Sequence, residues 1–197
     1  MHEANMSHAS PLVLDPEHRD ALLPLARLLE QWNGAHNLVS RQMDLEQIQD
    51  LLWECTAFAP LLPLNAHVAD LGSGAGLPAL PLAVVRPDLR IEAVEPREKR
   101  CTWIRFAATK LKLAVQVKKA RWKPTWGHYD RVVSRAVFPP EQFDESVGHL
   151  ANQSLQMTGQ DAHPLTRRAH AVLRAGACVG LILAGSQTER HDEGVTP

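Results

Sequence analysis

The sequence predicts an α/β protein built on a parallel, doubly wound sheet behind an N-terminal layer of helices. Three observations predict it. The helical spacing of apolar residues gives way near residue 66 to short apolar runs, those runs alternate with helix-length segments, and the first of them ends in a glycine-rich turn. Alternation of this kind reads as strands joined by crossover helices that cover both faces of a parallel sheet.

Taken in order, Asp15-Pro16 is a good N-cap and first-turn pair, and Leu22, Leu25, Leu29 and Trp32 follow at helical spacing. Asn33-Gly34 is the expected stop, and Pro24 predicts a kink or a late start. A second helix runs from about Asp44 to near Pro60, with Leu45, Ile48, Leu51, Leu52 and Cys55 on one face. Residues 1–64 are therefore read as an acidic helical segment packed on the same domain that residues 65–197 form as an α/β unit. Strands are expected at His67–Leu71, Ile91–Glu95, Ala114–Val117, Asp130–Ser134 and Ala177–Leu183. Helices are expected from Leu77-Pro78, over Glu98–Leu111, and up to Gly176. The polar stretch Asn152–Thr166 lacks a clear period and reads as a long loop.

Composition narrows the class. With 45% hydrophobic and 22% charged residues over 197 positions, the chain has enough apolar surface for one compact core. The longest apolar stretch, about Ala175 to Gly185, is far short of the roughly 20 residues a membrane helix needs. Neither a basic start nor an apolar signal core opens the sequence, and Cys55, Cys101 and Cys178 show no CxxC pairing, so a cytosolic protein with free thiols is expected. Ten histidines are scattered without HxxxH or HExxH spacing, so no metal site is expected.

The net charge of −1 conceals an asymmetry. Residues 1–64 hold three basic and nine acidic side chains, whereas residues 97–135 hold twelve Lys or Arg against Glu98 and Asp130. A block of that sign is the electrostatic footprint of a polyanionic partner such as a nucleic acid. Trp122 and Trp126 lie inside it, where they could stack on bases or pack beneath a loop.

The segment Asp70-Leu71-Gly72-Ser73-Gly74-Ala75-Gly76 joins the first strand to its helix. Its DxGxGxG spacing differs from the GxGxxG of dinucleotide-binding loops, and the Gly-Lys-Ser/Thr of a P-loop is missing. Glycines at alternating positions behind an acid match the first motif of S-adenosylmethionine (AdoMet) methyltransferases. Glu95, 23 residues after Gly72 and at the end of the next strand, can accept hydrogen bonds from ribose hydroxyls or cap the following helix.

The stretch VADLGSGAGLPALPLAVVRPDL, then EPREKR, then VVSRA at Val132–Ala136, resembles the bacterial small-subunit ribosomal RNA methyltransferase G family (RsmG, also called GidB). Asn37-Leu38-Val39-Ser40 is similar to that family's Asn-Leu-Thr-Ser segment. The resemblance implies a Rossmann-like AdoMet-dependent methyltransferase that modifies N7 of a guanine in 16S rRNA, with the RNA or the small ribosomal subunit as partner. It also implies that Gly72, Gly74 and Leu77 line the AdoMet pocket, that Glu95 holds the ribose, and that Arg121 and Trp122 flank the adenine. Arg135 would lie at the methyl-transfer end as the catalytic residue and also touch the cofactor, and Lys99, Arg100 and Arg121 would face RNA. For the arginines the alternative is a structural pairing, as of Arg135 with Asp130.

The chain departs from the family pattern at Leu51 and Glu54, where the family carries His and Asp, at Ala79 in place of a glycine, and at Lys123, where an acid is usual. Leu183-Ala184-Gly185 replaces a Leu-Lys-Gly. If Ala177–Leu183 is the fifth parallel strand, Ser186–Pro197 is too short and polar to supply the antiparallel hairpin that normally completes such a sheet. The hairpin would then be missing, and the open edge would invite self-association. Two other activities fit the residues less well: an RNA-binding relative with impaired catalysis, and a nicotinamide-dependent oxidoreductase.

Overall fold

The computed structural model describes residues 15–121, 123, 127–135, 150–159, 169–175 and 178–184. Helix α1 (Pro16–Ala21) starts where Asp15 accepts a hydrogen bond from the Glu17 amide, and α2 (Leu23–His36) follows after a break at Leu22. Pro24 thus marks the late start of a new helix, at a position where its missing N–H is no loss. The helix does not stop at Asn33-Gly34 but runs on to His36, and Asn37 closes it in the left-handed conformation at φ 51°. A reciprocal capping box between Asp44 and Gln47 opens α3 (Leu45–Glu54), which tightens into a 3₁₀ turn over Cys55–Leu61.

Beyond these helices the chain lays down β1 (His67–Leu71), α4 (Ala79–Val85), β2 (Arg90–Val94), α5 (Glu98–Leu111), β3 (Val115–Lys118) and β4 (Tyr129–Arg135). Three further strands follow, β5 (Ala151–Gly159), β6 (Ala169–Ala175) and β7 (Cys178–Ala184). The strand order is β3-β2-β1-β4-β5-β7-β6. Strands β3 to β5 in this order pair in parallel, and β7 pairs antiparallel with both β5 and β6.

Two expectations about the C-terminal third are therefore corrected. The hairpin is present: β6 and β7 form it, so Leu181–Leu183 is an interior strand with a partner on each side rather than an open edge. The stretch read as a polar loop supplies β5, and the stretch read as a helix up to Gly176 supplies β6. Ser154, Leu155, Gln156 and Met157 are all buried in β5, so polar side chains lie inside beside apolar ones and no apolar run marks the strand. In β6, Ala-His-Ala-Val-Leu-Arg-Ala has the composition of a helix, and pairing with β7 overrides that propensity. The sheet-edge argument for self-association falls with this correction.

The N-terminal helices share one core with the sheet: Leu22, Leu25, Leu29, Ile48, Leu52 and Phe58 belong to the same buried cluster as Val68, Ile91, Ala93 and Val133. The chain moves outward from β1 to β2 and β3, then returns to place β4 on the other flank of β1. At such a reversal the connections diverge to opposite sides and leave a crevice beyond the C-terminal ends of the strands.

Candidate active site

That crevice holds a cavity of about 920 Å³, lined by the turn after β1, the ends of β2 and β4, the start of α5 and the segment between α2 and α3. The turn is built for close approach. Gly72, Gly74 and Gly76 all have positive φ, at 73°, 58° and 83°. A Cβ on Gly74 would sit 3.0 Å from an Arg100 guanidinium nitrogen, and one on Gly76 would meet the fully buried Leu80 at 2.5 Å. The amides of Gly72 and Ser73 both donate to the Val94 carbonyl, at 2.9 and 3.1 Å, which ties the turn to the end of β2. From below, Trp103 Nε1 donates to the Ala75 carbonyl at 2.8 Å.

Asp70, the acid of the glycine motif, points away from the cavity into the core. One carboxylate oxygen accepts from Ser73 Oγ at 2.5 Å and from the Ala79 amide at 3.1 Å, so it caps α4 from the end of β1. The other oxygen has no partner among the described residues. Burial pushes this carboxyl up to about 7, helped by the nearby charge of Glu95 and opposed by the two hydrogen bonds.

Glu95 is 3% exposed, and its carboxylate spans two turns: Oε2 accepts from the Gly74 amide and Oε1 from the Arg97 amide, each at 2.9 Å. It thus reaches the N-cap residue of α5 and also lines the cavity. Each oxygen keeps a second lone pair for a ligand hydroxyl.

Gly72, Gly74, Leu77, Arg100, Arg121 and Arg135 line the same cavity as Glu95. Lys99 does not; it is exposed on α5 one residue away, and Trp122 lies outside the described residues, as does Trp126. Arg135 does not pair with Asp130: that carboxylate, at the other end of β4, accepts from the His67 amide at 2.7 Å. Instead Arg97, Arg100, Arg121 and Arg135 converge on the cavity, and among the described residues none of them is ion-paired.

Sequence reasoning missed part of the wall. Leu38, Val39, Ser40, Met43 and Leu51 close the cavity on the side of the N-terminal helices, and Arg97 joins the basic wall. The brace for this side is Asn33, buried in α2, whose amide donates to the Ser40 carbonyl at 3.1 Å while its oxygen accepts from the Val39 amide at 2.9 Å. The signal was there in Asn37–Ser40, which the sequence singled out without assigning it to the pocket wall. Among the described residues, no group of three or more His, Cys, Asp or Glu is placed to hold a metal ion, and no helix is long and apolar enough to cross a membrane.

The fold is that of Rossmann-like methyltransferases. A SAM dependent methyltransferase from Aquifex aeolicus superposes with a TM-score of 0.57 over 82% of this chain and 98% of that one, at 17% identity. The ribosomal protein L11 methylase of Lactobacillus delbrueckii subsp. bulgaricus gives a TM-score of 0.57 over 70% and 79%, at 13% identity. Sequence comparison is more specific: the family model GidB, rRNA small subunit methyltransferase G, matches residues 18–165. The Ribosomal RNA small subunit methyltransferase G of Stenotrophomonas maltophilia is 31% identical over 184 residues, covering 90% of this chain and 86% of that protein. Its counterpart in Methylobacillus flagellatus is 28% identical over 185 residues, covering 91% and 89%. The chain belongs to the rRNA small subunit methyltransferase G family, which sets aside the oxidoreductase alternative.

Proposed function

We propose that the protein transfers the methyl group of AdoMet to N7 of a guanine in 16S rRNA, acting in the cytoplasm. The observation that carries this reading is the composition of one cavity: a buried carboxylate, Glu95, next to a glycine turn, with four arginines that have no carboxylate partner among the described residues. The turn and carboxylate suit a nucleoside. Gly72 and Gly74, which line the cavity, present no side chain to a ligand, and Glu95 accepts from ribose hydroxyls with the lone pairs that the two backbone amides leave free. At about 920 Å³ the cavity has room for such a group and part of an acceptor. When bound there, AdoMet supplies an electrophilic sulfonium methyl.

The acceptor accounts for the rest of the wall. Guanine N7 carries a free lone pair at neutral pH, so no protein base is required and catalysis is alignment and electrostatics. The ionisable groups among the described lining residues fit that demand: Glu95 is already engaged by two amides, and an arginine is always protonated. A guanidinium fork matches the O6 edge of guanine or adjacent phosphates. Arg135, at the end of β4, is proposed to orient the guanine, with Arg100 and Arg121 on neighbouring phosphates. Leu77 and, from the sequence alone, Trp122 are assigned to the cofactor side, and Lys99 to RNA.

The test is methyl transfer to 16S rRNA and to small subunits, beside AdoMet titration by calorimetry. Arg135→Lys keeps the charge and loses the fork, so turnover should fall at least about tenfold, a change of about 1.4 kcal/mol in the barrier, while AdoMet affinity and melting temperature hold. Unchanged turnover would remove Arg135 from the reaction. A parent protein that binds no AdoMet would overturn the assignment of the pocket.

A further inference from the structure

The exposed flank of α5 carries a feature that the cavity does not use. Phe106 and Leu64 are the two large apolar side chains exposed among the described residues, and Phe106, at 38%, is an outer member of a group of aromatic rings. Its ring centroid lies 4.7 Å from that of Trp32, with the planes 32° apart. Trp32 also meets His36 at 4.8 Å and, on its inner side, the fully buried Trp103 at 5.4 Å. The rings thus run from the core to the surface between α2 and α5. An exposed phenylalanine held against a tryptophan is oriented before any ligand arrives.

On α5 the unpaired charges that flank it carry one sign. Lys99, Phe106 and Lys110 are spaced by seven and four residues, so they share one face of α5. Among the described residues neither lysine has an ion-pair partner, whereas the acid of the same helix, Glu98, is taken up by Lys119 at 2.7 Å and Arg105 at 3.3 Å. The patch adjoins the cavity at two points. Leu38, two residues beyond His36, is part of the wall, and so is Arg100, next to Lys99 and about 9 Å along the helix axis from Phe106.

We infer that Phe106, backed by Trp32 and His36 and bracketed by Lys99 and Lys110, is a stacking platform for an unpaired RNA base beside the target guanine. The inference rests on the proposed RNA substrate and adds where a second nucleotide lands. A base turned into a cavity leaves its neighbours unstacked, and an aromatic face with flanking cations takes up such a base whatever its identity.

The experiment is binding of end-labelled 16S rRNA at one fixed salt concentration by the full chain and three variants. Phe106→Ala should weaken binding about tenfold, within the range that loss of one stacked base gives. Phe106→Trp should restore it, and Phe106→Leu, apolar but without a ring face, should stay as weak as Phe106→Ala. AdoMet affinity should be equal in all four. If the parent binds rRNA and Phe106→Ala or Phe106→Leu binds as well, the platform is overturned and the RNA reading stands. If the parent itself does not bind rRNA, both fall. Light scattering that shows Phe106→Ala splitting a dimer with rRNA affinity unchanged would overturn the platform in favour of contact with a second copy.

Discussion

Asp70 forms no part of the cavity wall, yet it fixes the turn that does. Its carboxyl is raised to about 7 from an ordinary 3.8, chiefly by burial. A group raised in the folded state gives stability that is complete below its unfolded value and is lost as pH rises through the folded one. Its contribution should therefore decline between about pH 4 and 7, and Asp70→Asn should flatten that part of a melting-temperature profile. The asparagine oxygen can still accept from the Ala79 amide. A profile of unchanged slope in Asp70→Asn would mean that Asp70 does not titrate there. Residues such as Gly72, Gly74 and Glu95 were legible in the sequence because their motif has a fixed spacing. Asn33 was not: a polar residue near a helix end reads as a stop signal, and only the folded loop shows that its amide faces inward to hold Val39 and Ser40.

At the scale of elements, β1 to β4 and β7 were readable as strands, and β5 and β6 were not. Strands β1 to β4 carry apolar runs bounded by turns, whereas β5 buries Ser154 and Gln156 and β6 reads as a helix. What decides those two strands is pairing with β7, a long-range contact that no local window contains. Arg86, at the end of α4, shows how a single side chain can fasten elements. Its guanidinium donates to the carbonyls of Leu62 and Pro63, each at 3.0 Å, and to that of Ala59 at 2.5 Å, and holds both oxygens of Asp88 at 2.7 Å. Arg86→Ala leaves three carbonyls short of a donor, and their loss should cost about 1–3 kcal/mol, read as a lower denaturation midpoint with the same slope. The guanidinium also keeps the Asp88 carboxyl well below the usual carboxylate range. The stability of this pair is accordingly present at neutral pH and is lost only as pH falls through that depressed value. Arg86→Ala should shrink this acid-side loss and leave the part that the Asn65 amide sustains.

For the molecule as a whole, two charge territories follow the chain: acidic N-terminal helices and a basic block that supplies the arginines of the cavity. The sequence revealed this division, since net charge in a window needs no structure to be read. It misjudged the closure of the sheet. With β7 paired on both sides, the amides of residues 178–184 should exchange slowly with solvent in dilute, monomeric protein. Rapid exchange there would contradict the strand order.

The place of β7 also constrains the order in which the fold can be assembled. During synthesis the parallel strands can pair as they emerge, because β1, β2 and β3 are neighbours in sequence and β4 joins the free flank of β1. Strand β6 cannot do the same: among the described residues its one neighbour in the sheet, β7, comes after it in the chain. Until residue 184 has left the ribosome, β5 has an unfilled flank and β6 has nothing to pair with. The nascent chain therefore carries a sticky, half-built sheet until β7 emerges, the stage at which a chaperone would have most to hold.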